Sequence, residues 1–286
     1  MAACVAQSLV DSDLVGIHSH GLIRIPHYYS FLQAGWLNPA GRAQVVREST
    51  ATAVVDGRWG FGQPAAHKAM DLAMEKARVH GIAAVAIVNC GHIGRLGEYA
   101  EKAAAAGMIG MIAASGGPPG GLVVPFGGAQ RVLSTNPIAA GAPAREHPPF
   151  VMDFATSQVA AGKIELAPDK DMPIPAGWAV DSEGRPARTA RQFLDGGGLL
   201  PFGGHKGYAL GLLVELLCGA LGGAGCSERP NRVPEWGRGG NACFAIAIAS
   251  APSSIVTIGL PPLRMASRNA RCSKKVEPWW APADMS

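Results

Sequence analysis

Two histidine-bearing segments hold the side chains best suited to chemistry. In 18-HSHGLIR-24, His20 and Arg24 stand four residues apart, so a helical turn would put both on one side, facing one small anion. An arginine can clamp a carboxylate through two parallel hydrogen bonds, and an imidazole can give or take a proton near neutral pH. The same spacing would equally suit a solvated helix end. In 89-NCGHIGRLGEY-99, His92 follows an apolar run and is flanked by glycines, which puts it at the carboxyl end of a strand, where open α/β sheets tend to hold ligands. A purely structural histidine is the alternative there. His18 and His27 read as surface groups or supports.

Three further segments carry candidates. Asp153 in FVMDFATS could orient an imidazole, bind a ribose hydroxyl or cap the next helical turn. Lys206 in 203-GGHKGY-208 opens a helix through a Gly-rich turn suited to phosphate or carboxylate, without the remaining spacing of an ATP-binding loop. The turn 60-GFGQPA-65 matches G-x-G-x-x-A between a strand and a helix. The next strand, however, ends in Val88-Asn89-Cys90, with no acidic residue for a ribose, so an ordinary tight turn competes with a pyrophosphate site. Spacing alone gives an anion site built from His, Arg and Lys.

The elements that must position these groups can be read from periodicity. Residues 5–16 have helical apolar spacing. Between 51 and 114 the chain alternates: extended 51–56, helix 64–80, extended 82–88, helix 98–107 and extended 108–114. In the first of these helices Ala66, Ala69, Met70, Ala73, Met74 and Ala77 form one stripe, Pro64 suits the first turn and Gly81 ends it. This alternation predicts an α/β layer with parallel strands. Loops dominate 115–149, a Pro-rich polar connection spans 168–198, and 240–250 reads as one more strand.

Composition narrows the class. At 286 residues with 48% hydrophobic and 16% charged, the chain is too apolar for disorder, and its 38 Gly and 22 Pro without a triplet period mark turns rather than collagen. The net charge of +4 lies entirely in residues 227–286, while the body before them is balanced, which argues against a nucleic-acid groove. The 6 cysteines show neither CxxC pairs nor zinc spacing, as expected for reduced thiols in a cytoplasmic protein. No signal peptide is visible, and the apolar stretch 207–226, interrupted by Glu215 and glycines, reads as a buried helix rather than a membrane span.

Taken in order, DLVGIHSHGLIRIPHYY, VNCGHIGRLGEYA, VVPFGGAQRVLSTNPIAAGAP, FVMDFATSQVAAGK, IPAGWAVDSEGRP and LLPFGGHKGYAL resemble the malate/L-lactate dehydrogenase family of the second type, whose relatives include ureidoglycolate dehydrogenase and cyclic imino acid reductase. The resemblance runs from residue 5 to about 225. It implies an α+β fold in place of the parallel layer: a mixed, mainly antiparallel sheet flanked by helices, forming a non-Rossmann dinucleotide-binding domain, plus a helical domain. It also implies an NAD or NADP enzyme without a metal. Such an enzyme moves a hydride to or from the second carbon of a small 2-hydroxy or 2-oxo acid such as malate or lactate, and works as a homodimer; charge balance and hydropathy, for their part, leave no nucleic acid or membrane partner expected.

Carried over by motif, Ser19, His20 and Asp153 match the family's Ser-His-Asp relay, and Arg24 matches the carboxylate clamp. His92 matches the proton acceptor of ureidoglycolate dehydrogenases, so two imidazoles compete for one role. Lys206, Asp153, Phe154, Ala155 and Ser115 match positions that contact the dinucleotide, and GFGQPA loses its pyrophosphate role. The implied organisation is a helical substrate and dimer region at 1–46, short at its N-terminus, a catalytic NAD(P)-binding domain at 47–260, and a divergent basic tail at 261–286. His18 replaces the family's usual acidic residue, and the sequence departs from the pattern after Ala249. An inactive paralogue that binds a small molecule or a dimer partner is the competing expectation.

Overall fold

Helical stripes and apolar strands form where their periods place them. A computed structural model describes residues 1–116, 121–144, 147–165, 171–227, 229–230 and 240–249, so the basic tail lies outside the described residues. Helix α1 (Ala2–Leu14) leads through two 3-10 turns (His18–His20 and Leu22–Arg24) into α2 (Ile25–Gln33). Then follow β1 (Gln44–Glu48), β2 (Thr52–Asp56), α3 (Gly62–His80), β3 (Ile82–Cys90), α4 (Gly97–Ala105) and β4 (Met108–Gly116). After β5 (Ile138–Ala142) and β6 (Phe150–Phe154) come the short α5 (Ala161–Glu165), β7 (Ala179–Val180), α6 (Ala190–Leu194) and β8 (Gly198–Leu199). Helix α7 (His205–Glu215) runs into a π-helical segment (Leu216–Leu221), followed by β9 (Gly225–Cys226), β10 (Arg229–Pro230) and β11 (Asn241–Ala249). Among the described residues no helix is long and apolar enough to cross a membrane.

The main sheet has the order β1-β2-β3-β11-β4-β5-β6. Only β2 and β3 pair in parallel, joined through α3, and every other neighbouring pair is antiparallel. The parallel layer expected from alternation alone is therefore corrected, and the mixed, mainly antiparallel sheet that the resemblance implies is the one found. The alternating pattern itself is real: β3 and β4 run in the same direction and α4 connects them. A strand from far along the chain, β11, inserts between them antiparallel to both, with Cys243 facing Ile87 on one side and Ala114 on the other.

β11 can take this central place because both its faces are covered. Cys243, Ala245 and Ala247 join the core beneath α3 and α4, where Met70, Ile87, Tyr99 and Ile112 are also buried. Ala242 and Phe244 pack on the opposite face with Val214 of α7 and Cys218 of the π-helical segment. The alanine stripe of α3, with Ala66, Ala69, Ala73 and Ala77 fully enclosed, lets that helix lie close to the sheet. A second cluster around Leu133, Ile164, Phe193 and Leu199 gathers the loops between β4 and α7.

The register brings one set of ends together. Asn241 of β11 pairs with both Cys90 and Gly116, so the carboxyl ends of β3 and β4 share an edge with the start of β11. β6 runs parallel to β4 across β5 and ends on that same edge. The start of α3 packs there too: a Cβ on Gly62 would overlap the carbonyl oxygens of Gly91 and His92. Gly62→Ala should therefore cost about 1–3 kcal/mol of stability, the usual penalty of an overpacked interior site. The measurement is the urea midpoint at constant slope, and a midpoint equal to the parent's would contradict this packing.

Candidate active site

The first wall of the site is built by a carboxylate that shapes the turn after α1. Asp13 accepts a hydrogen bond from the Leu22 N–H at 2.9 Å and pairs with His18 Nδ1 at 2.9 Å. The Leu22 bond first, and His18 second, hold the Asp13 carboxyl below the usual carboxylate range. Gly21 leaves room for this carboxylate, since a Cβ there would push the Asp13 side chain aside. The turn directs Ser19 and His20 inward, with Ser19 Oγ 2.9 Å from His20 Nδ1. Arg24 closes the second turn by donating from Nε to the Ser19 carbonyl at 2.5 Å. One helical turn later stands Tyr28, buried against Val5 and Leu9 and edge-on to Phe61.

The second wall is the loop after β3. His92 stacks on His20 with ring centroids 5.4 Å apart and planes 23° from parallel. Its Nδ1 lies 2.9 Å from the Tyr28 hydroxyl and 3.3 Å from the Gly94 N–H. Tyr28 in turn accepts a hydrogen bond at 2.8 Å from Nε2 of Gln63, which is completely buried at the start of α3. Burial, then the charges of Arg24 and Arg95, lower His20 to about 4. Burial also takes His92 well below its ordinary value, helped by His20, Arg24 and His27. Both imidazoles are thus neutral at pH 7. Burial raises the Tyr28 phenol to about 12, so it stays protonated.

Asp153, at the end of β6, accepts a 2.7 Å hydrogen bond from the N–H of Gly97, the first residue of α4. Burial pushes its carboxyl up, opposed by that bond and by the Arg95 charge. Arg95 is held by both oxygens of Glu101, at 2.8 and 2.7 Å. In this arrangement Asp153 ties β6 to α4 rather than bonding an imidazole.

Ser19, His20, Arg24, His92, Asp153, Phe154 and Ala155 all line one cleft of about 1290 Å³. Lys163, Trp178, Phe202 and Asn241 line it as well. Two residues singled out in the sequence do not line it, although Ala114 and Gly116 on either side of Ser115 do. Lys206 is exposed in the first turn of α7 and is not among the lining residues. Ser115 is buried with its hydroxyl on Glu215 at 2.6 Å, in a cluster where Glu215 also accepts from Asn136 and Ser227. Tyr28 and Gln63 are site residues that spacing and motif do not single out. The first continues the four-residue spacing of His20 and Arg24, and the second sits inside GFGQPA, whose glycines let α3 start against the His92 loop.

Comparisons with known proteins match this chain along most of its length. A family model described as malate/L-lactate dehydrogenase matches residues 1–256, from the first residue to a little beyond the expected departure at Ala249. The malate dehydrogenase of Pyrococcus abyssi is 43% identical over 255 residues, covering 86% of this chain and 69% of that protein. The L-sulfolactate dehydrogenase of Methanocaldococcus jannaschii is 43% identical over 223 residues, covering 78% of this chain and 63% of that one. Among solved structures, the delta1-piperideine-2-carboxylate reductase of Pseudomonas syringae superposes with a TM-score of 0.79 at 37% identity, over 86% of this chain and 74% of that one. With a family model spanning most of its residues and fold and sequence agreeing in these relatives, the chain belongs to the malate/L-lactate dehydrogenase family.

Proposed function

We propose that the cleft binds a small 2-hydroxy or 2-oxo acid beside NAD or NADP, as an oxidoreductase of the malate and lactate type. The observation that carries this reading is the meeting of two stacked imidazoles with Arg24 in one cleft. The relatives are named for malate, sulfolactate and a cyclic imino carboxylate, and these names support a reading in which the chemistry lies at the carbon next to a carboxylate.

The cleft suits a dinucleotide as well as an acid. Its volume of about 1290 Å³ exceeds what a three- or four-carbon acid fills, Phe154, Phe202 and Trp178 give it an apolar wall, and Lys163 adds a cation. Asp153, Phe154 and Ala155 are the lining residues assigned to the dinucleotide, whereas Lys206 and Ser115 lie outside the lining. When bound, the nicotinamide supplies or takes the hydride at the acid's second carbon.

Everything else falls to the chain's own groups. Arg24 holds the carboxylate and so fixes the second carbon's position. An imidazole takes the hydroxyl proton during oxidation and returns it during reduction, while the other steadies the same oxygen. The aromatic wall excludes water and strengthens these contacts. The convergence of these groups favours this reading over an inactive paralogue.

The direct test is to follow NADH and NADPH consumption across a panel of 2-oxo acids, for which turnover is expected. Arg24→Lys should raise the KM for the acid about tenfold or more with a smaller effect on kcat, because an ammonium cannot make the paired bonds. An unaltered KM would count against the clamp. The pH profile follows from the neutral imidazoles. Oxidation needs an unprotonated base, so activity is lost as pH falls through that base's pKa, and both histidines are held below 6.5. The acid limb of kcat/KM for 2-hydroxy acid oxidation should inflect well below 6.5, near about 4 for His20. An inflection at or above 6.5 would contradict the assignment.

A further inference from the structure

The two imidazoles differ in their partners, and the difference assigns their roles. His92 Nδ1 faces the backbone N–H of Gly94 at 3.3 Å. A backbone N–H can only donate, so this nitrogen is an acceptor and the proton of neutral His92 sits on Nε2. The Tyr28 hydroxyl, 2.9 Å from the same nitrogen, must then donate to it, which leaves the phenol oxygen to accept from Gln63 Nε2 at 2.8 Å. Turning the Gln63 amide over would reverse the chain: the phenol would donate to the amide oxygen and require a proton on Nδ1, pointing at the Gly94 N–H. The polarity Gln63 to Tyr28 to His92 is the one compatible with all these partners, and it leaves Gln63 Oε1 buried without a hydrogen bond.

His20 is held differently. Its Nδ1 partner is the Ser19 hydroxyl, at 2.9 Å. A hydroxyl rotates to donate or accept, so His20 can carry its proton on either nitrogen, or on both, without losing that bond.

We propose that Tyr28 and Gln63 lock His92 as the Nε2–H tautomer, making His92 a fixed hydrogen-bond donor to the oxygen on the substrate's second carbon and His20 the group that moves the proton. This rests on the dehydrogenase reading above and resolves its competition between two histidines. During oxidation the substrate's O–H bond breaks with the proton passing to His20, its C–H bond breaks with the hydride passing to NAD or NADP, and the C=O bond forms. His92 stays neutral throughout: gaining a proton would set Nδ1–H against the Gly94 N–H, and losing one would leave a buried imidazolate. Tyr28 and Gln63 are positioning residues, acting through His92.

The test begins with a spectrum of the full chain labelled with 15N-histidine, His92 being assigned by its absence in His92→Gln. Between pH 5 and 8 the account expects an unprotonated Nδ1 and a protonated Nε2. In Tyr28→Phe, which keeps the ring, the Nδ1 resonance should move as it loses a donor. Kinetics supply the second arm. His92→Gln keeps an N–H donor and should retain at least about tenfold more kcat than His92→Ala, whereas His20→Gln should lose about 100-fold or more and lose the acid limb of the pH profile. A His92 found as the Nδ1–H tautomer, or a His92→Gln variant as impaired as His92→Ala while His20→Gln remains active, would overturn the proposal. A wild-type protein that turns over no 2-oxo acid would instead defeat the dehydrogenase reading, and the spectrum would still decide the tautomer.

Discussion

The stacking of His20 on His92 is the contact on which the site depends. Each ring belongs to a segment that cannot hold it alone: His20 lies on a 3-10 turn shaped by Asp13, and His92 lies on a loop beyond β3. Face to face beside the Arg24 guanidinium, neither ring readily takes a proton, since a buried cation next to another would be poorly solvated and repelled. A neutral pair is chemically useful. It can receive a proton from an alcohol or offer a hydrogen bond to a carbonyl, and in the proposed function it leaves Arg24 as the charge for an acid's carboxylate.

The sheet exists, for this purpose, to bring ends together. Inserting β11 between β3 and β4 makes those strands parallel without being neighbours, so both finish on one edge, where Asn241 also begins. Asp153 reaches that edge on β6 and caps α4, which fixes the loop carrying His92 and Arg95 from its far side. Gly62 and Gln63 brace the same loop from α3. The loop is therefore held by α3, β3, α4 and β6 at once, and this explains how a histidine outside regular structure can be held in one position.

Much of this was legible in the residues, and the rest failed for identifiable reasons. The stripe on α3 and the strand before His92 are local patterns, and both lie where periodicity put them. The His20, Arg24 spacing identified one wall of the cleft, and one more step of four would have reached Tyr28. Alternation alone points to a parallel layer because β11 is separated by a long stretch of chain from the strands it divides, and a local pattern carries no information about which strand returns. Ser115 has the right sequence neighbours for a cofactor contact, but its hydroxyl turns to satisfy the buried Glu215 carboxylate, a partner set by tertiary packing. Gln63 was hidden in a turn that looked like a phosphate loop, where glycines serve close backbone packing instead.

The central claim, that this cleft seats a dinucleotide and a 2-oxo acid together with Arg24 as the acid's anchor, is most directly tested by titrating the purified chain with NADH and NADPH, following energy transfer from its 6 tryptophans to the bound nicotinamide. The account predicts saturable binding of at least one dinucleotide, tightened by a 2-oxo acid in the parent and no longer tightened in Arg24→Ala. A folded protein that binds neither dinucleotide, or one whose Arg24→Ala variant responds to the acid as the parent does, would contradict it.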